Sequence, residues 1–289
     1  MPAYELGPKI LSPEIAAPYR RKLGDQVHRS LRIYTQDPGA PGYDAPIVVA
    51  RVPWEPLEPG PIGQLFAVHD QNETRNETYA PVDLDSAEVL NNQGLSPSTA
   101  DPRFAQQMTY AVAMSVFDRF SLALGRSPEF AVGPNVTRLT IRPHAAEEDN
   151  AWYDGETGSL DFGYVYATTD AGGRLQQGSV VFTALSHDVV VHETTHALLD
   201  GMRPLFLEPT HNDVAAFHEG FSDLVALLMR YQYRDLVERG LDHGMGLAAP
   251  LLTEVARQWG RSSGSGREAL RRVLLAAGDA DEPVKAAYR

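Results

Sequence analysis

His192-Glu193-Thr194-Thr195-His196-Ala197-Leu198-Leu199-Asp200 is followed, 23 residues beyond His196, by Glu219-Gly220-Phe221-Ser222-Asp223. On a helix, positions i and i+4 share a face, so the imidazoles of His192 and His196 can reach one metal ion. Glu193, one residue on, is rotated off that axis and can meet a metal-bound water without ligating. Two helical histidines leave a catalytic zinc in need of a third ligand and an open position. The next helical stretch, Phe217-His218-Glu219-Gly220-Phe221-Ser222-Asp223, offers two carboxylates one turn apart, Glu219 and Asp223. One of them can bind the metal while the other accepts the N–H of a ligating imidazole and so fixes its tautomer.

The composition narrows the chemistry. The chain has 289 residues, no cysteine and nine histidines. Disulfides, thiolate metal sites and cysteine nucleophiles are therefore excluded, and a zinc site must use His and carboxylate ligands. Hydrophobic content of 43% with 22% charged residues describes a globular chain. The net charge of −13 speaks against a nucleic-acid partner and supplies no basic face for anionic lipid. Met1 to Arg32 contains no apolar run long enough for a signal peptide. No segment reaches the length of a membrane span, and a cytoplasmic protein is the expectation. Oligomeric state is not readable.

Outward from the two motif helices, the spacing predicts an α+β fold. Residues 1–100, rich in Pro and Gly, read as an irregular β region with runs at Leu31–Tyr34 and Ile47–Val52. Asp101 as N-cap, Pro102 at the first helical position and Gly125 as stop bracket a helix over Phe104–Leu124 that is apolar around most of its circumference. Thr137–Arg142 alternates like a strand, Ala151–Tyr153 with Ser159–Thr168 reads as a further strand pair, and the Asp170–Gly173 cluster is a turn. Asp188–Leu199 is a helix ended by Gly201, with Pro204 beyond. Asp213–Tyr231 is a helix whose apolar face is Val214, Phe217, Phe221, Leu224, Val225 and Leu228. Two further helices are expected near Leu247–Trp259 and Gly266–Ala277, separated by a flexible loop at Gly260–Gly266. The division is a β-rich region over 1–100 and a mainly helical core over 101–289, with a cleft between the lobes.

The pattern H-E-x-x-H-A-x-x-D followed by E-x-x-S-D resembles the thermolysin-like metallopeptidases, the gluzincins. Asp188-Val189-Val190-Val191 before the first histidine fits that likeness, and Asn150-Ala151-Trp152-Tyr153-Asp154-Gly155 is similar to the family's edge-strand segment. The resemblance covers about residues 100–230 and implies a zincin-like fold binding one zinc per chain. It implies His192, His196 and Glu219 as ligands, Glu193 as general base and Asp223 as the group orienting a ligand histidine. Asn150 and the backbone of Ala151 would hold an extended peptide along the sheet edge. The implied activity is that of a zinc-dependent endopeptidase using a zinc-activated water. The alternative is a zincin-fold binding or scaffolding domain with little turnover.

Departures from the family are visible as well. Its transition-state-stabilising histidine lies well downstream of the glutamate ligand. Here the sole histidine after Glu219 is His243, much closer than that spacing, and the role is not carried onto it. Asp188 matches a family calcium ligand, but Met229-Arg230-Tyr231 stand where more acids are needed, which speaks against calcium. His187 and His211 flank the motif helices as surface or cleft-lining groups, and His28, His69 and His144 form no pattern.

Overall fold

The computed structural model describes residues 17–38, 47–131, 136–167, 177–203, 207, 211–241, 254–255 and 271–272. The fold is mixed α and β. Two strands, β1 (His28–Tyr34) and β2 (Ile47–Pro53), pair antiparallel over their whole length. Short strands β3 (Phe66–Val68), β4 (Gln71–Asn72) and β5 (Glu77–Thr78) follow, and then a helix, α1 (Ala87–Asn92), capped by the Ser86 hydroxyl.

The central helix α2 (Pro102–Leu124) begins and ends where the sequence signals place it. The Asp101 carboxylate accepts from Arg103 N, Pro102 occupies the first turn, and Gly125 closes the helix in a left-handed conformation. Residues Phe104 to Met114 are all buried, because α2 lies against β1, β2, β3, β6 and α3. Two of these buried residues are glutamines, and each amide is satisfied at both ends. Gln106 accepts from Val82 N and donates to Asp70 and Ala80 O. Gln107 accepts from Leu95 N and donates to Arg32 O. Burying an amide is tolerable only with such partners, and these bonds fasten the irregular N-terminal segments to the helix.

The main sheet runs β3, β6 (Leu139–Ala146), β8 (Ser159–Tyr166), β7 (Ala151–Asp154). β3, β6 and β8 are parallel, β7 is antiparallel to β8, and β9 (Val180–Phe182) pairs with the far half of β8. β7 is thus an edge strand among the described residues. Leu139, Ile141, Leu160 and Phe162 belong to one core that also takes in α2 and the α3 residues Val189–Val191, Ala197 and Leu198.

A single helical turn at Thr183–Leu185 leads into α3 (His187–Met202), and α4 (Asn212–Arg230) packs against it. α5 (Arg234–Gly240) follows. Three expectations are corrected. Gly201 lies inside α3 and does not end it. A Cβ there would stand 1.7 Å from the Glu129 carbonyl oxygen, so its role is close packing against the 129–130 backbone. The apolar stripe of α4 faces the core only in part: Phe217, Leu224 and Leu228 are exposed, whereas Val225 packs against the core, Phe221 meets Phe120, and His218, Ser222, Ala226, Leu227 and Met229 are buried. The inward face carries the polar partners for α3 as well as apolar core residues. Within the helices expected at Leu247–Trp259 and Gly266–Ala277, the described residues are extended. Glu254–Val255 (β10) and Arg271–Arg272 (β11) pair antiparallel; a short apolar periodicity does not by itself separate helix from strand. The remainder of those segments lies outside the described residues. So do the Asp170–Gly173 turn, Pro204, the Gly260–Gly266 loop and His243.

Candidate metal centre

Every residue from His187 to Asp200 is buried, which for a stretch bearing three histidines, a glutamate, two aspartates and two threonines requires internal partners. The threonines solve this within the helix: Thr194 Oγ1 donates to Val190 O and Thr195 Oγ1 to Val191 O, each at 2.7 Å. The imidazoles of His192 and His196 meet α4.

There the ring nitrogens converge. His192 Nε2 and His196 Nε2 lie 2.9 Å apart, and the Glu219 carboxylate reaches them at 3.4 and 3.5 Å respectively. Four tetrahedral ligands at about 2.0–2.1 Å from zinc stand roughly 3.3–3.4 Å from one another. The donor set suits such an ion, and the two histidine–Glu219 distances match that spacing, while the Nε2–Nε2 separation of 2.9 Å is shorter. Side-chain donors of His192, Glu193 and His196 also fall within 4.8 Å of one another, so the centre is bordered by two carboxylates, Glu193 and Glu219.

The outer ring nitrogens are engaged as well. His192 Nδ1 lies 2.9 Å from Asp223 Oδ1. The bond assigns that proton to Nδ1 and leaves Nε2 facing the centre. Burial opposes charge on His192, but the bonds to Asp223 and Glu219 and the Glu193 charge carry its pKa up to about 9. Burial raises Glu219, yet the hydrogen bonds from His192 and His196 outweigh it and hold the carboxyl well below the usual range. His196 Nδ1 meets His218 Nδ1 at 2.6 Å and Ser222 Oγ at 3.2 Å. Burial, then the charge on His196, lowers His218 to about 4.

The remaining site residues sit on the sheet. Ala151 opens β7 opposite Phe162, and the Asn150 carbonyl accepts from Gly163 N at 2.9 Å. With Asn150 turned inward, the alternation of an antiparallel pair directs the backbone groups of Ala151 to the open edge. A Cβ on Gly163 would stand 2.3 Å from Glu148 O and 2.6 Å from Asn150 O, so the tight crossing needs glycine. Tyr153 on the same strand donates its hydroxyl to Asp200 Oδ2 at 3.0 Å, tying the edge strand to the end of α3. Asp200 belongs to the motif, but its partner was not legible from spacing.

Four histidines and one acid have other duties. His211 is exposed and caps α4, its Nδ1 accepting from Asp213 N. His144 is buried against Asp70 at 2.8 Å. His187 is neither a surface nor a cleft group: it is fully buried, with Nε2 3.1 Å from the Tyr233 hydroxyl. His218, to which spacing assigned nothing, contacts His196 directly; its place one turn before Ser222 was the available signal. Asp188 receives both Nε (2.6 Å) and Nη2 of the buried Arg230 guanidinium. A fixed cation therefore covers both oxygens that calcium would need, and the residues do not fit a calcium site.

No protein-family model matches the chain, and no curated protein matches it. Among solved structures, the chain is similar to the precursor of protealysin, a metalloproteinase from Serratia proteamaculans. Identity is 18% and the TM-score is 0.37, covering 62% of this chain and 47% of that one. The chain thus spans about half the length of that structure, and a likeness of this degree carries no argument about function.

Proposed function

We propose that this chain is a zinc-dependent peptidase of the thermolysin-like, zincin-fold type, cleaving within extended polypeptides. The observation that carries the reading is the convergence of His192 Nε2, His196 Nε2 and the Glu219 carboxylate, 2.9–3.5 Å apart, with Glu193 alongside.

His192 and His196 would hold the metal through Nε2 and Glu219 through its carboxylate, a His₂Glu set characteristic of catalytic zinc. When bound, zinc supplies Lewis acidity, lowering the pKa of water and polarising a carbonyl. Asp223 holds the Nδ1 proton of His192 and so keeps the ring in its ligating tautomer. Glu193, adjacent in sequence to His192 and turned off the ligand axis, takes a proton from the attacking water and returns it to the departing amine nitrogen. The open edge of β7 adds an extended peptide as a further strand, with the backbone of Ala151 in register and the Asn150 amide within the same segment.

A peptide library read by mass spectrometry tests this. Wild type should cleave, and Glu193→Gln should fold and retain zinc while losing activity by about 10²–10⁴-fold, the usual contribution of a positioned base. If both proteins hold zinc and both are inert, the peptidase reading fails and a metal-containing binding domain takes its place.

A further inference from the structure

We infer that His218 is a positioning residue that receives the ring proton of His196 and thereby sets the affinity of the centre for its metal. The inference rests on the metal centre proposed above, and concerns a residue outside the ligand set.

Helical spacing puts His218 one turn before Ser222, on the α4 face buried against α3. The Nδ1 atoms of His196 and His218 lie 2.6 Å apart, while the ring centroids are 4.8 Å apart and the planes differ by only 21°. Two imidazoles so arranged meet end-on, nearly in one plane. That is the geometry of an N–H···N hydrogen bond, in which a single proton is shared. The other nitrogen of His196, Nε2, faces His192 and Glu219 and must carry no proton if it is to ligate. The proton of neutral His196 therefore resides on Nδ1, and the His218 Nδ1 lone pair accepts it. Ser222 Oγ, 3.2 Å from the same nitrogen, is the longer contact.

The consequence for His218 is specific. With Nδ1 accepting, its own proton must sit on Nε2, and that atom is buried with no hydrogen-bond partner among the described residues. A buried donor without a partner is unfavourable, so the site retains an arrangement that folding alone would not select. The gain lies at Nδ1, where a fixed acceptor removes the rotational and tautomeric freedom of a ligand histidine. Loss of such outer partners weakens metal binding about 10–100-fold in comparable sites.

Zn²⁺ affinity, measured by competition with a chelating dye, separates the possibilities when read beside circular dichroism of each metal-free protein. His218→Asn keeps an acceptor near the Nδ1 position and should bind Zn²⁺ within a few-fold of wild type. His218→Leu removes it and should bind about 10–100-fold more weakly, with an altered Co²⁺ absorption spectrum. Equal affinity and equal spectra in folded wild type and His218→Leu overturn the role. If His218→Leu does not fold, ring ¹⁵N shifts of the zinc-loaded wild type decide. His196 protonated on Nδ1 and His218 on Nε2 supports the inference, and His218 protonated on Nδ1 refutes it. A wild type that binds no Zn²⁺ refutes the metal centre itself, a result distinct from any of these.

Discussion

His187 and Arg230 show how single side chains at the base of α3 serve stability in place of chemistry. Arg230 and Asp188 are both buried and bonded through both guanidinium nitrogens that face the carboxylate. Removing one partner of such a pair strands a buried charge and typically costs about 3–5 kcal/mol, so the pairing keeps α4 tied to α3. His187 lies against Asp188, Arg230 and Tyr233. Burial first, then the Arg230 charge, pushes its pKa down to about 3. An unfolded chain holds a histidine near 6.5, so below that pH the unfolded state binds a proton that the folded state refuses. Stability contributed by the neutral ring is therefore present above about 6.5 and is lost as pH falls toward 3, at about 1.4 kcal/mol per unit. Urea unfolding at pH 7 and pH 5 should show about 2 kcal/mol of acid destabilisation from this ring in wild type and none of that component in His187→Phe. The same pH dependence in both proteins would contradict the assignment.

At the scale of elements, α3 owes its position to a glycine as well as to its apolar residues. Gly201 touches the Glu129 backbone, and backbone cannot rotate away as a flexible side chain can. Gly201→Ala is expected to destabilise by about 1–3 kcal/mol or more, in the range of overpacked cores. A thermal melt should show a lowered Tm, and an unchanged Tm would contradict the close packing. The same helix marks what was legible in the sequence. The span of α2 follows from its caps, and Asp101, Pro102 and Gly125 act as such signals should, while α3 and α4 were placed by motif and periodicity to within a few residues. Gly201 misled because a glycine near a helix end reads as a stop, whereas close approach of another segment is a tertiary fact. The facing of α4 misled for a related reason. A hydrophobic stripe normally points to the core. Here the imidazoles of α3 need carboxylate, hydroxyl and imidazole partners, and α4 is rotated to present these beside Val225, Ala226 and Met229, leaving part of its stripe outside.

For the molecule as a whole, helices and strands share one apolar core, and a few polar side chains link the elements around the centre. Tyr153 joins the edge strand β7 to Asp200 at the end of α3, and Asp223, Glu219, His218 and Ser222 join α4 to the histidines. The motif residues of this constellation were readable, because i, i+4 spacing is a local property. The His196–His218 pairing and the Asp188–Arg230 pair were not, because each depends on how two helices are rotated against one another. No helix among the described residues is long and apolar enough to cross a membrane. Metal analysis of the purified protein is the decisive measurement on the centre formed by His192, His196 and Glu219. One zinc ion per folded chain is expected in wild type and in Glu193→Gln, and a marked loss in His196→Ala. A folded wild-type protein that neither contains zinc nor takes it up would contradict that centre.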